Sequence, residues 1–301
     1  MILFNILNKT FFMDLQMNEE NINVDDLKKW IGNSEIVTDE VSQGLEKKFR
    51  ATLNIDPGEP VFGEEASSGI HWALAPAVVK SSLLGKDSHP TKGGFLPPVS
   101  LPRRMWAGCE TEFFSPLFIG DIVTKKSSVF DINLKKGKSG LLCFVKAKYE
   151  FFVNDKLVIK EFHDIVYRDF IKQQKNQILK NELPTFKSDY EEKIYTHPTM
   201  LFRYSAITFN GHRIHYDYPY SVNEEGYKDL VFHGPLQATL LLRAAEKFKK
   251  TKVKKFIHKG IAPVFANDNL FINIEDKDNN EVNCFTSTLD AGLTMKAEAF
   301  F

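Results

Sequence analysis

The sequence predicts an α+β protein made of two similar units, each a helix held against an antiparallel sheet. Three observations predict it. From Met105 to Tyr167, apolar and polar residues alternate in runs separated by turn residues, the pattern of hairpin-linked strands. Leu236, Leu240, Leu241, Ala244, Ala245 and Phe248 recur at the period of one helix face. Pro116-Leu-Phe-Ile-Gly-Asp121 matches Pro263-Val-Phe-Ala-Asn-Asp268 in register, and strand-like sequence follows both.

The elements follow in chain order. Residues 1–16 are apolar but broken by Asn5, Asn8 and Lys9, with no small-residue cleavage site after them. They read as an extension, not a secretory signal. Residues 23–32 predict a short helix capped by Asn23 and stopped by Gly32. A second helix is expected over 38–53, with Thr38 as cap and Val41, Leu45, Phe49 and Leu53 on one face. The prolines and glycine of residues 56–60 break the chain. An apolar run over 71–84, ended by Gly85, reads as a further helix. Residues 93–102 hold too many prolines to be regular.

Strands are expected over 123–130, 141–151 and 157–167, with turns at 135–140 and at Asn154-Asp155. Residues 171–197, rich in Lys, Glu and Gln, read as a linker. The main helix spans about 234–248, with Pro235 in its first turn. Two or three strands follow from Val264 to Phe301, turning at 276–280. The expected organisation is an N-terminal domain at 17–170, a linker at 171–197 and a C-terminal domain at 198–301.

Composition excludes some classes. Lys+Arg and Asp+Glu number 39 each, so the basic excess of a nucleic-acid-binding chain is missing. No apolar stretch reaches the length of a membrane span. The three cysteines, Cys109, Cys143 and Cys284, are too far apart in sequence for a metal knuckle or redox pair. They point to free thiols in a reducing compartment, and a cytoplasmic location is expected.

Chemistry-bearing residues gather in one place. His212, His215 and His233 fall close to Asn210 and Asp217. Such histidines are often structural, and a zinc site is the rival reading, with His212 and His215 at i, i+3 and Asp217 or His233 as third ligand. Arg103, Arg104 and Arg213 are candidates for binding a carboxylate or phosphates, because Arg offers paired donors to both. Each could equally belong to a structural ion pair. The basic run from Lys249 to Lys255 suits a helix C-terminus and could also attract phosphates. Trp106 and Phe209 fit a pocket wall or a core equally well.

The segment Phe202-Arg-Tyr-Ser-Ala-Ile-Thr-Phe-Asn-Gly-His-Arg-Ile-His-Tyr-Asp217, with His233-Gly-Pro-Leu-Gln-Ala-Thr239, resembles the hydratase motif of the MaoC-like enoyl-thioester hydratases and dehydratases. Trp30-Ile-Gly and Gly93-Gly-Phe-Leu-Pro-Pro-Val-Ser-Leu-Pro-Arg-Arg-Met-Trp-Ala-Gly108 are similar to segments of one branch of that family. This branch holds the mesaconyl-C4-CoA (3-methylfumaryl-CoA) hydratases and the type 2 hydroxyacyl-thioester dehydratases. The resemblance runs from about residue 20 to the end.

It implies a double hot-dog fold, two antiparallel sheets each wrapped around a helix, and reversible hydration of an enoyl-CoA thioester, mesaconyl-C4-CoA to citramalyl-CoA first, with a 3-hydroxyacyl-thioester dehydratase of fatty-acid synthesis or a catalytically silent acyl-CoA-binding protein as the alternatives. His215 is implied as general base and acid. Asn210 stands where the family usually has Asp; its amide can orient a water but cannot accept the proton. The Gly234 N–H, at a helix N-terminus, is implied as the oxyanion donor. His212, His233, Trp106, Arg103, Arg104 and Arg213 are the candidates for holding substrate and coenzyme A. No metal and no cofactor beyond the coenzyme A of the substrate is expected. The partner expected is that small molecule, without nucleic acid or membrane, and a homodimer is compatible with the fold.

Overall fold

The computed structural model describes residues 22–137, 140–169 and 184–301. The expected extension and the first half of the expected linker lie outside them.

Ten antiparallel strands form one continuous sheet. The first half supplies β1 (Ser34–Glu40), β2 (Arg103–Phe113), β3 (Ile122–Gly137), β4 (Gly140–Val153) and β5 (Lys156–Arg168). The second supplies β6 (Tyr190–Tyr195), β7 (Lys255–Gly260), β8 (Asn269–Asp278), β9 (Glu281–Thr288) and β10 (Gly292–Phe300). The order across the sheet is β1-β3-β4-β5-β2, then β7-β10-β9-β8-β6. Read outward from the seam, both halves have the same order, so the chain is a duplicated unit in space as in sequence.

The two six-residue repeats occupy equivalent places. Asp121 accepts a hydrogen bond from the Phe118 N–H at 2.7 Å, and Asp268 from the Phe265 N–H at 3.3 Å. The turn residues Gly120 and Asn267 both have positive φ, 97° and 63°. Each turn launches the strand next to it, β3 or β8. The hairpin at Asn154-Asp155 has φ of 48° and 60°, the left-handed pair that matches strand twist.

The seam pairs β2 with β7 from Gly108↔Lys259 to Glu112↔Lys255. A Cβ at Gly108 would lie 2.6 Å from the His258 carbonyl oxygen, so only glycine lets the strands meet there.

Helix α4 (Gly234–Lys249) follows two short helices in the first half, α1 (Val24–Lys28) and α2 (Gln43–Thr52), and α3 (Pro198–Ile207) in the second. It is buried nearly all round. Leu236, Leu241, Leu242 and Ala245 are fully buried, and the Gln237 amide donates to Thr286 and Thr294 of the sheet behind it.

The helices depart from expectation at three points. Residues 34–40 are strand β1, and the second helix is capped by Ser42, not Thr38. The run over 71–84, interrupted by Pro76, forms only two single-turn 3₁₀ segments, Ile70–Ala73 and Ser81–Leu83. Thus, among the described residues, the first half of the sheet has no long helix like α4. Residues 190–195, within the expected linker, form edge strand β6 paired to β8.

Cys109, Cys143 and Cys284 are all buried and free. Among the described residues no helix is long and apolar enough to cross a membrane.

Candidate active site

The histidine-rich segment is a compact loop after α3. The helix ends at Thr208, and Phe209 takes φ 50°. Asn210 then ties the loop in both directions. Its N–H donates to the Ser205 carbonyl at 2.9 Å, and its side-chain oxygen accepts from the His212 N–H at 3.0 Å. With its oxygen so used, the Asn210 amide can present N–H donors to the cavity it lines. A single 3₁₀ turn, Arg213–His215, delivers His215 inward.

His215 is 7% exposed, and its Nδ1 lies 2.7 Å from the Val231 carbonyl. A carbonyl only accepts, so Nδ1 carries the hydrogen and Nε2 the lone pair. Val231 is bridged to Phe265, in the second copy of the repeat, so that turn also steadies the carbonyl that orients the base. Burial pushes the His215 pKa down to about 4, against the Val231 carbonyl, which favours the charged form; the imidazole is neutral at pH 7.

The His233 ring lies flat against His215, with Nε2 2.9 Å from the Ser205 hydroxyl. Its Nδ1 has no partner among the described residues. A buried orphan N–H costs more than an orphan lone pair, so the assignment is Nε2–H donating to Ser205 Oγ. That frees the Ser205 hydroxyl hydrogen for the cavity. Burial also pushes the His212 and His233 pKa values down. The His212 ring lies 4.2 Å from that of His89, tilted by 41°, and the His89 Nδ1–H donates to Asp87 at 2.9 Å.

Helix α4 begins at Gly234, and its cap residue His233 makes no side-chain capping bond. First-turn N–H groups have no intrahelical acceptor, so this end offers free donors and the positive end of the helix dipole. A Cβ at Gly234 would lie 2.8 Å from Trp106 Cε3. Glycine is required by that indole.

A cavity of about 580 Å³ runs from this loop into the first half. Ser205, Asn210, Gly211 and His89 line one end, and His71, Lys125, Tyr149, Glu161 and His163 line the other. His212, His215, His233 and Gly234 are not among the residues that line it; the lining Ser205 hydroxyl bonds His233, and the lining Asn210 side chain accepts from the His212 N–H. At the far end Glu161 is fully buried. Its carboxylate accepts from four N–H and O–H donors, His71 Nε2 (3.0 Å), Trp72 Nε1 (2.9 Å), Thr111 Oγ1 (2.8 Å) and His163 Nε2 (3.0 Å), and more distantly from the Cys109 thiol (3.7 Å). Burial opposes its ionisation, but the two imidazoles and their hydrogen bonds prevail and hold its pKa well below the usual range.

The three arginines do not line this cavity. Arg103 pairs with Glu225 at 3.2 Å and covers the Tyr227 ring. Arg213 pairs with Asp217 at 2.8 Å and covers Tyr220. Arg104 makes no hydrogen bond to the buried Tyr167 hydroxyl, but its charge reaches Tyr167, Asp87, His89 and His212. The basic run is spent on acids: Lys249 on Asp276, Lys252 on Glu65 and Lys255 on Glu110. Asp217 is held by Arg213, and the rival set of His212 and His215 with Asp217 or His233 is not among the groups whose ligand atoms lie within 4.8 Å of one another among the described residues. Among the described residues two other groups bring ligand atoms within 4.8 Å of one another, Asp87–His89–His212 and Cys109–Glu161–His163.

Sequence reasoning missed Ser205, His89, Lys125 and the whole Glu161 network. One signal was present. Glu161 and His163 are two apart on a strand and so share a face.

Residues 69–266 match the family model described as hydroxyacyl-thioester dehydratase type 2. The chain is 38% identical over 240 residues to the mesaconyl-C(4)-CoA hydratase of Chloroflexus aurantiacus, covering 80% of this chain and 85% of that one. Among solved structures it is similar to a MaoC-like dehydratase from Phytophthora capsici, with a TM-score of 0.64 at 17% identity, covering 93% of this chain and 99% of that one. A Mycobacterium tuberculosis protein described as a double hot-dog superposes with a TM-score of 0.52 at 12% identity, over 90% of this chain and 96% of that one. These two likenesses concern the fold, which is the double hot-dog.

Proposed function

Because the chain belongs to the hydroxyacyl-thioester dehydratase type 2 family and is an enzyme of the hydro-lyase kind, we propose that it reversibly hydrates mesaconyl-C4-CoA to citramalyl-CoA. The observation that carries the reading is His215, held neutral with Nε2 unprotonated by one hydrogen bond to the Val231 carbonyl.

The step needs a base, an acid and a stabiliser for the enolate oxygen. His215 Nε2 takes a proton from water as the water oxygen bonds to the β-carbon. The double-bond electrons move to the α-carbon and thioester oxygen. The Gly234 N–H and the α4 dipole hold that oxygen while imidazolium returns the proton to the α-carbon. Asn210 orients the water through its amide N–H. The reaction uses no group beyond the coenzyme A of the substrate. Three free cysteines suit a reducing compartment such as the cytoplasm.

A second reading is dehydration of a 3-hydroxyacyl thioester in fatty-acid synthesis. Leu74, Val79, Leu84, Phe151 and Phe202 give the cavity apolar walls that suit an alkyl chain. Loss of enoyl-thioester absorbance, followed with mesaconyl-C4-CoA, mesaconyl-C1-CoA and crotonyl-CoA, separates the two. Strong preference for the C4 thioester supports the first. Preference for crotonyl-CoA moves the enzyme to the second, and no turnover of any of the three removes both.

A further inference from the structure

The far end of the cavity carries a positive charge that the hydration step does not use. Lys125, on β3, reaches the carbonyls of Leu74 (3.4 Å) and Ala75, and its ammonium lies 5.9 Å from the centre of the Tyr149 ring. No carboxylate among the described residues forms an ion pair with it. It feels the charges of Glu35, Glu161 and Asp39 only through space. Asp39 is occupied by the Ala75 N–H at 2.7 Å, and Glu161 by its four donors. Burial pushes the Lys125 pKa down, as expected for an ammonium that lacks a nearby anion.

Tyr149 supplies a second donor. Its ring lies 4.5 Å from that of His163, tilted by 52°, and its hydroxyl has no hydrogen-bond partner among the described residues. Burial pushes its pKa up, so the hydroxyl keeps its hydrogen. Both groups line the cavity whose other end carries Asn210 and Ser205. A wall made for an alkyl chain would hold no unpaired ammonium, because burying one without an anion is costly.

We propose that Lys125 and Tyr149 form an anion subsite that binds a carboxylate at the far end of the acyl group. The acyl substrate is then a short dicarboxylic acid joined to its carrier through one carboxyl. The inference rests on the reading that the thioester lies at the His215 end. It transfers to Lys125 the carboxylate recognition that the sequence suggested for the arginines.

The test is calorimetric binding of succinyl-CoA and butyryl-CoA to the full chain. These four-carbon thioesters differ in a terminal carboxylate against a methyl, and neither has a double bond to hydrate. Binding is therefore read independently of turnover, and failure of the proposed reaction in the absorbance assay would be seen separately. The wild type should bind succinyl-CoA at least tenfold more tightly. Lys125→Met should abolish that preference with butyryl-CoA binding unchanged, Tyr149→Phe should weaken it several-fold, and Lys125→Arg should keep part of it. Equal wild-type affinities, or equal weakening of both ligands in Lys125→Met, would overturn the subsite. Should Lys125→Met fail to fold, the wild-type comparison and Tyr149→Phe decide.

Discussion

The imidazole rings of His215 and His233 lie 3.6 Å apart and 18° from parallel. Two stacked imidazoles cannot both be charged at that distance without strong repulsion. Burial holds both rings neutral, so His215 is in the form a base needs, which should be visible in pH profiles. For His215 the folded pKa, about 4, lies below the ordinary value of 6.5. The kcat/KM profile should be level through neutrality and fall as pH drops through about 4, where Nε2 becomes protonated. An acid limb near 6.5 would mean that another group is the base.

The same displacement affects stability. Between about pH 4 and 6.5 the unfolded chain binds a proton at residue 215 that the folded chain refuses. Stability is thus complete above 6.5 and is lost as pH falls toward 4, on the order of 3 kcal/mol for this residue. His89, His212, His233 and His258 are displaced downward too and add in the same direction. Urea unfolding at pH 7.5 and pH 5 should give a clearly lower midpoint at pH 5, and His233→Phe should narrow the gap.

Asn210→Asp should preserve the loop, because a carboxylate oxygen can accept the His212 N–H as the amide oxygen does. The added negative charge favours imidazolium, so the acid limb of the rate profile should move up from about 4. Asn210→Ala should lower kcat by roughly ten- to a hundredfold with little change in KM, within the span typical of acid–base and orienting groups. A limb that stays in place in Asn210→Asp would show that residue 210 does not act on His215.

Gly234→Ala places a methyl group 2.8 Å from Trp106 Cε3. Overpacking of this kind costs about 1–3 kcal/mol. The melting temperature should fall, and kcat should fall with it as the start of α4 shifts. Adding Trp106→Leu should restore the melting temperature. If Gly234→Ala alone melts like wild type, the indole does not constrain this position.

Removing the Glu161 carboxylate leaves four donors without an acceptor, those of His71 and Thr111 buried. Glu161→Leu should destabilise the fold by roughly 3–5 kcal/mol, the usual consequence of breaking a buried charged network from one side. Because the Glu161 pKa is depressed, its contribution is present above the carboxylate range and vanishes on acidification, so the difference between variant and wild type should shrink toward low pH.

How much was legible beforehand depended on how each residue is used. The duplicated turn was visible because it needs Pro, Phe and Asp at fixed places, and the buried α4 because its apolar spacing is regular. Strands β1 and β6 were not, since both lie at sheet edges and carry the charges that keep edges from pairing further. Ser34–Glu40 has no apolar stripe to reveal it, and Tyr190–Tyr195 reads as linker for the same reason. At the site, His215, Asn210 and Gly234 were proposed from a motif in two segments, 202–217 and 233–239. Lys125, Tyr149 and Glu161 come from three strands that only the folded sheet brings together, and a lysine on a strand reads as solvent-facing. The arginines misled in the opposite way: Glu225, which takes Arg103, is distant in sequence.

The first half has the one-turn segment Ile70–Ala73 where the second has α4. Duplication has thus produced a division of labour. One copy carries the long helix and His215; the other has no such helix among the described residues and carries Lys125 and Tyr149. Substitutions around Lys125 and Tyr149 can retune which acid is accepted while His215 and its carbonyl stay untouched. Such a chain can change its diet by drift in one half without having to reinvent catalysis in the other.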